Sequence, residues 1–435
     1  TVFSNNYYAK PPVIERTSIE LYSDVTDRLR TKLKFSRYEM DEDDASLGDG
    51  LFPEVRINLG GDRVYLGGDR YRGANHIMVD EDILVFKADY DNDDNVLTFG
   101  IERTETDVYN LFIARYNGEI QFNSIEDFET GMWSYLRFHT PIAGNDQVGT
   151  AAADFSIEKD TMYFQNKWYA GDDLTFTFGF RYDKVLTPDY PHLNPKFLER
   201  NGIGNNQRFD FDLIQPRVSF NYDATSSFGD RVVDATIRGG RGLFLGRIPR
   251  VWYGNAYSRS GGLTDYNRFR SYSDVIGPMP ASSTADPHFF WLGSTSNYEV
   301  RSAWYGDAQG TDPGFEAPSS WRTNIALDLL TTKGYDFTVE YNRDQINEGV
   351  FYQDLGITQT GTLADGRGTY TGAGDFWLSN TELGDTEAIT FIMKKEWNDV
   401  KFMTAYTNMD ASDVYALTSA QAESAYGYQQ RWDGE

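Results

Sequence analysis

Residues 173 to 184, DLTFTFGFRYDK, alternate without a break. Leu174, Phe176, Phe178, Phe180 and Tyr182 are large and apolar, while Thr175, Thr177, Gly179 and Arg181 between them are small or polar. A strict period of two makes a strand with two unlike faces. In a soluble protein the apolar face covers a core and the polar face meets water, whereas in a membrane barrel the assignment turns inside out. The pattern recurs. Ile214, Val218, Phe220 and Tyr222 alternate with Gln215, Arg217, Ser219 and Asn221, and Trp321, Thr323, Ile325, Leu327 and Leu329 alternate with Arg322, Asn324, Ala326 and Asp328. Further runs start at Arg28, Tyr335 and Ala388. The count comes to roughly twelve strands, many longer than the five or six residues usual in soluble sheets.

With 435 residues the chain is long enough for two or three domains. Yet no linker, low-complexity tract or change of periodicity divides it, so residues 1–435 read as part of one all-β domain. The net charge of −26 argues against nucleic acid, which needs basic stripes. There is no Cys, and the four His are scattered, so no cofactor or metal is expected. No apolar run reaches the length of a membrane helix. Membrane strands carry a weaker signal, and a mean hydropathy of −0.55 is compatible with them. The opening TVFSNNYYAK has neither an initiating Met nor a signal peptide and reads as an internal piece of a longer precursor.

Connections add a second signal. Tight turns at 91–95, 170–173, 331–336 and 397–399 alternate with long segments at 183–212, 247–320 and 353–374, the short and long rhythm of outer-membrane barrels. A lipid-facing Arg at mid-bilayer costs about 2–4 kcal/mol, so basic groups should share the small polar face. Arg181, Arg217, Arg238 and Arg322 do, which makes them lumen-facing candidates, with Leu174, Phe176, Phe178, Phe180, Ile214, Val218, Phe220, Ile325 and Leu327 towards lipid. Trp168, Tyr169, Tyr182, Tyr222, Trp321, Tyr335 and Trp397 stand where headgroup-level rings belong. One strand breaks the rule: the outward register through Val233, Ala235 and Ile237 puts Arg241 beside Leu243 and Leu245. Either the strand has left the bilayer there, or a bulge at Gly239 and Gly240 resets it.

Residues 63 to 262 resemble the central barrel region of the Oar-like branch of TonB-dependent outer-membrane receptors. The stretches that carry the likeness are YLGGDRYRGANHIMVDEDILVFKADY, LTFGIERTETDVYNLFIARYNGEIQFNSIEDFETG, LTFTFGFRYD, LIQPRVSFNYD and RGGRGLFLGRIPRVWYGNAYSRSG, with WRTNIALDLL and SNTELG more loosely beyond them. The resemblance implies a transmembrane antiparallel up-and-down β-barrel of 22 strands in the outer membrane. It also implies a plug domain that contacts TonB, and an extracellular ligand such as a peptide, metal chelate or oligosaccharide. The plug, the TonB-contacting segment and the last strands are not found in this sequence, which therefore reads as the middle of a receptor.

Catalytic signatures are poor. The acidic stretches 40–50 and 89–95 read as solvated turns, since the second has Asp94 and Gly100 where a calcium loop needs Gly and Glu. No nucleophile elbow, HExxH pattern or phosphate loop occurs, and the chain reads as no enzyme. The ligand-binding candidates lie in the long loop from Gly246: Arg247, Arg250, Trp252, Tyr253, Asn255 and Tyr257, joined by Trp304 and Tyr305. Rigid rings beside cationic groups suit recognition, and equally suit packing of the loop. Three functions stand open: TonB-energised uptake or export of a bulky ligand; a passive barrel serving as porin, adhesin or scaffold; and a soluble secreted β-protein.

Overall fold

A computed structural model describes residues 1–43, 45–47, 52–142, 145–269, 299–301, 308–371 and 374–413. Among them, twelve long strands run back and forth in chain order. They are β1 (Val13–Thr26), β2 (Leu29–Asp43), β3 (Asn75–Asp91), β4 (Asn95–Phe112), β5 (Ala153–Tyr169) and β6 (Leu174–Leu186), then β7 (Phe211–Asp223), β8 (Val232–Leu245), β9 (Ser319–Thr331), β10 (Tyr335–Asp354), β11 (Asp385–Trp397) and β12 (Val400–Ser412). Each pairs antiparallel with the next, so the chain builds a single up-and-down wall. A short strand, Asp375–Thr381, extends the end of β10 beyond the stretch that pairs with β11.

The connections alternate without exception among these strands. At one end they are the segments 27–28, 92–94, 170–173, 224–231, 332–334 and 398–399; at the other they are 44–74, 113–152, 187–210, 246–318 and 355–384. Tight hairpins need a left-handed residue to match the strand twist, and Asp93 (φ 70°), Gly334 (φ 73°) and Asn398 (φ 47°) supply it. In the acidic turn the side chains close the loop themselves. Asp91 accepts from the Asp93 amide at 3.1 Å and Asn92 from the Asn95 amide at 2.9 Å.

The two faces of the wall differ as the alternation requires. Phe176 stands in register with Phe220 and with Trp168, and Phe178 with Val218, all on one face. Phe180, Ile214, Val218 and Ile325 there are exposed. Leu174 to Tyr182 covers about 27 Å of strand at ~3.4 Å per residue.

Charged groups bound this apolar band at the long-connection end, and the boundary slants. On β1 the first carboxylate is Glu15, which lies in the ladder row of Ser156 on β5 by way of Glu39, Asp80 and Asp107. On β11 it is Glu387, whose row runs through Arg343, Thr323, Arg241, Val218 and Phe178 to Asn166 on β5. The edge therefore drifts ten residues along β5 over the ten strand steps from β1 to β11. At about 3.4 Å per residue and ~4.8 Å per step this is a slant of about 35°, within the range of closed barrels. With that slant the apolar stretch of β6 spans about 22 Å across the band, close to the height of a barrel's lipid belt.

Arg241 belongs to this slanted charged edge. Its register is continuous, Gly239 with Phe220 and Ile325, Gly240 with Ser219 and Asn324. The irregularity in β8 lies between Val232 and Asp234, so the bulge at Gly239 and Gly240 is not formed.

The described parts of the long connections are folded. Strands from three of them, Glu54–Leu59, Asp62–Leu66, Glu119–Phe122, Tyr135–Pro141, Thr264–Phe269 and Glu299–Arg301, join into a six-stranded cap sheet. One face buries Val55, Ile57, Ile120, Phe122, Leu136 and Phe138 under Trp133 and Phe128. Phe128 lies on α1 (Ile125–Thr130), whose ends are fixed locally: Ser124 accepts from the Asp127 amide at 3.0 Å, and Gly131 closes the helix at φ 74°.

Candidate functional site

Arg181, Arg217, Arg238 and Arg322 share the face of the wall opposite the apolar band, and each has a partner there. Arg181 donates to Asp183 at 2.8 and 2.9 Å, and Asp183 also accepts from Thr161 and Gln215, both at 2.5 Å. Arg217 donates to Gln215 at 3.1 Å and lies over the Phe244 ring. Arg238 bridges Asp328 at 2.8 Å and Glu340 at 3.1 Å on the next two strands, while Asn324 donates to Glu340 and Asn342. Arg322 pairs with Asp344 at 3.1 Å. A concavity of about 940 Å³ opens over these four guanidinium groups. The result is a polar, hydrogen-bonded surface with its charges held in place. Among the described residues, no group of His, Cys, Asp or Glu is clustered to hold a metal ion.

At the long-connection end the same face is covered. The loop after β8 turns into α2 (Arg250–Ser258), which lays Trp252, Tyr253, Ala256 and Tyr257 against Val108, Ala153 and Phe155 of the wall. Phe155 stacks on Tyr257 with ring centroids 4.5 Å apart, and Phe209 meets Tyr253 at 4.5 Å and Phe315 at 4.8 Å. Burial raises the Tyr257 hydroxyl to about 12, and its O–H donates to the Asp189 carbonyl at 2.8 Å. Tyr253 is raised by burial as well.

Of the loop residues singled out in the sequence, Trp252, Tyr253, Asn255 and Tyr257 are therefore buried, the three rings at 6%, 4% and 7% exposure. They are joined in one aromatic core that anchors the loop across the wall. Arg247 and Arg250 remain exposed, and Arg250 pairs with Glu81. Trp304 and Tyr305 lie outside the described residues. What the sequence reading missed is the cap sheet and its charged face, with Arg56, Glu119 and Arg137 on facing strands. Their signal was present as charged and apolar residues alternating in EVRINL, EIQF and YLRFH. It lay inside segments read as connections, with partners in other connections and one parallel pairing.

No protein-family profile and no curated protein matches the sequence. Solved structures do. The outer membrane transporter YddB from Escherichia coli aligns over 93% of this chain and 43% of its own, at 10% identity and a TM-score of 0.55. The copper transporter OprC aligns over 92% and 46% at 12% identity and a TM-score of 0.45. For the FrpB iron transporter from Neisseria meningitidis the values are 92% and 44%, 9% and 0.47. The chain spans less than half the length of these structures. The slanted meander and the likeness to YddB agree: this chain has the all-β fold of an outer-membrane transporter barrel.

Proposed function

We propose that the chain is part of a single outer-membrane receptor barrel that takes up a bulky extracellular ligand with energy supplied through TonB. The observation that carries this is the slanted apolar band on one face of the wall, backed by a charged polar face. In lipid the apolar face gains from burial, whereas each unpaired backbone group at the open edges of β1 and β12 would cost several kcal/mol. The wall is accordingly closed by further strands, with Arg181, Arg217, Arg238 and Arg322 towards the lumen. The long connections face outward, and the described part of the 246–318 loop, with its aromatic core, supports the mouth from which Arg247 and Arg250 remain accessible.

The energy would come through a plug domain in contact with TonB, as the resemblance to TonB-dependent receptors implies. The test is uptake of the cognate ligand by cells carrying the complete gene. Uptake should vanish when TonB is deleted while surface binding persists. Unchanged uptake in that strain would assign the barrel to passive transport or adhesion instead.

A further inference from the structure

Among the described side chains, the face of the cap sheet opposite its apolar core carries surplus positive charge around Glu119. Glu54 and Glu119 are register partners on neighbouring strands, an arrangement that like charges disfavour without counter-charge. Glu119 is fully enclosed and has it. Its Oε2 accepts from Arg115 Nε at 2.6 Å and Arg137 Nε at 2.8 Å, and its Oε1 from Tyr135 at 3.0 Å, from Arg137 Nη2 at 3.1 Å and from Arg56. Burial by itself would raise this carboxyl, but the bonds from Arg137, Arg115 and Arg56 hold it well below the usual carboxylate range. Arg70 adds a fourth guanidinium, 3.5 Å from Glu119 and 3.7 Å from Glu54. Among the described side chains, four guanidinium groups thus meet two carboxylates.

The surplus is concentrated on two of them. Arg115 gives one nitrogen to Glu119 and lies over the Tyr71 ring at 5.7 Å; Arg70 lies over the same ring at 4.7 Å. Among the described residues, the terminal nitrogens of Arg115 and the Nε and Nη2 of Arg70 have no hydrogen-bond partner, although the two side chains are only 17% and 24% exposed. None of these nitrogens is sealed from solvent, so they are donors that a dissolved anion can reach. Arg115 is also held at φ 61°, a strained backbone for a residue with a side chain, by its carbonyl's bond from Gly118 at 3.0 Å and its amide's bond to Arg70. Tyr71 is in turn stacked on Phe112, over which Arg259 lies at 5.8 Å. His139 registers the local potential: its enclosure first, then Arg115, Arg259 and Arg137, lower it to about 3.

We propose that Arg70 and Arg115 form a binding site for a soluble oxyanion, a carboxylate- or phosphate-bearing small molecule. A salt-bridge cluster that served the cap alone would need neither Arg70 nor the outer nitrogens of Arg115. The guanidinium fork matches carboxylate and phosphate oxygens in pairs, and the Tyr71 ring holds both forks in place. The site rests on the reading of the long-connection end as the outer mouth, but its occupancy by a purified protein does not depend on energised uptake.

The experiment is calorimetric titration of the complete detergent-solubilised receptor with inorganic phosphate and with citrate, at low and high salt. Binding of at least one probe, weakened by salt and reduced tenfold or more in both Arg70→Gln and Arg115→Asn, is the expected result. Asn tolerates the left-handed backbone at 115, so the turn is kept. Arg103→Gln, on the exposed apolar-face side of the wall, should bind as the parent does. Absence of binding to both probes, or unchanged affinity in the Arg70→Gln protein, overturns the site. So does retention on phosphatidylglycerol vesicles with neither soluble anion bound, which would mark a lipid contact. TonB-dependent uptake in cells whose receptor binds neither probe would leave the transport reading standing and remove only this site.

Discussion

Glu54 and Glu119 sit one strand apart on the cap sheet and are held in opposite senses. Glu119 lies below its ordinary value of 4.5, so its contribution to stability is full above about pH 4.5 and is lost as the pH falls further. Glu54 is raised, by burial first and then, against the pull of Arg70, by Glu119. Its contribution has the reverse sign, present in acid and lost as the pH rises through 4.5 and above. His139, lowered from 6.5 to about 3, adds a loss as the pH falls between those values. Glu119→Gln should therefore cost about 3–5 kcal/mol of cap stability at neutral pH, the scale for breaking a buried ion pair. Hydrogen exchange at the Ile120 and Phe122 amides measures it. Glu54→Gln should leave those amides as protected as in the parent; faster exchange there would mean that Glu54 is a needed counter-charge.

The aromatic core of the mouth makes a second prediction at this scale. Trp252→Ala should lower stability by about 3–5 kcal/mol, as loss of a large buried ring does. Arg250→Ala, which breaks an exposed pair with Glu81, should cost no more than about 1 kcal/mol. Thermal unfolding in detergent compares the two. Equal effects would mean that α2 is not anchored through its rings.

At the scale of elements, what the sequence disclosed depended on how far apart the partners lie. The wall was legible because each strand pairs with its neighbour in the chain, so that alternation and turn residues such as Gly334 and Asn398 suffice. The cap sheet was not, since Glu119–Phe122 pairs parallel with Glu54–Leu59 across some sixty residues, and nothing local announces that. The loop rings were read for their chemistry, but a helix that buries Trp252, Tyr253, Ala256 and Tyr257 on one side puts them in a core. Contact details within the wall were also hidden. Gly100 is the register partner of Tyr163, and a methyl group at 100 would collide with the Tyr163 ring, so the glycine makes room for a ring laid across the ladder. Gly100→Ala should destabilise the wall by about 1–3 kcal/mol, the cost of overpacking. Most of that loss should disappear when Tyr163→Ala is already present. Additive losses in the double mutant would remove the steric account.

For the whole molecule the slant of the charged edge is the decisive property, because it separates a barrel wall from a flat sheet with one greasy side. Phe178, Val218, Arg241, Thr323, Arg343 and Glu387 all stand in one ladder row. In a flat sheet lying along the membrane normal that row would be level, and Arg241 would share the depth of Phe178 at a cost of about 2–4 kcal/mol. With a slant of about 35° the row instead climbs across the sheet, so Phe178 lies within the lipid belt and Glu387 beyond it. Spin labels at single cysteines test this directly, and the absence of native Cys leaves no background. In the full-length protein in bilayers, labels at 178 and 99 should be relaxed mainly by dissolved oxygen, and labels at 15, 241 and 387 mainly by a water-soluble nickel chelate. Equal nickel accessibility at 178 and 387 would make the row level, and the slant, with the barrel read from it, would fall.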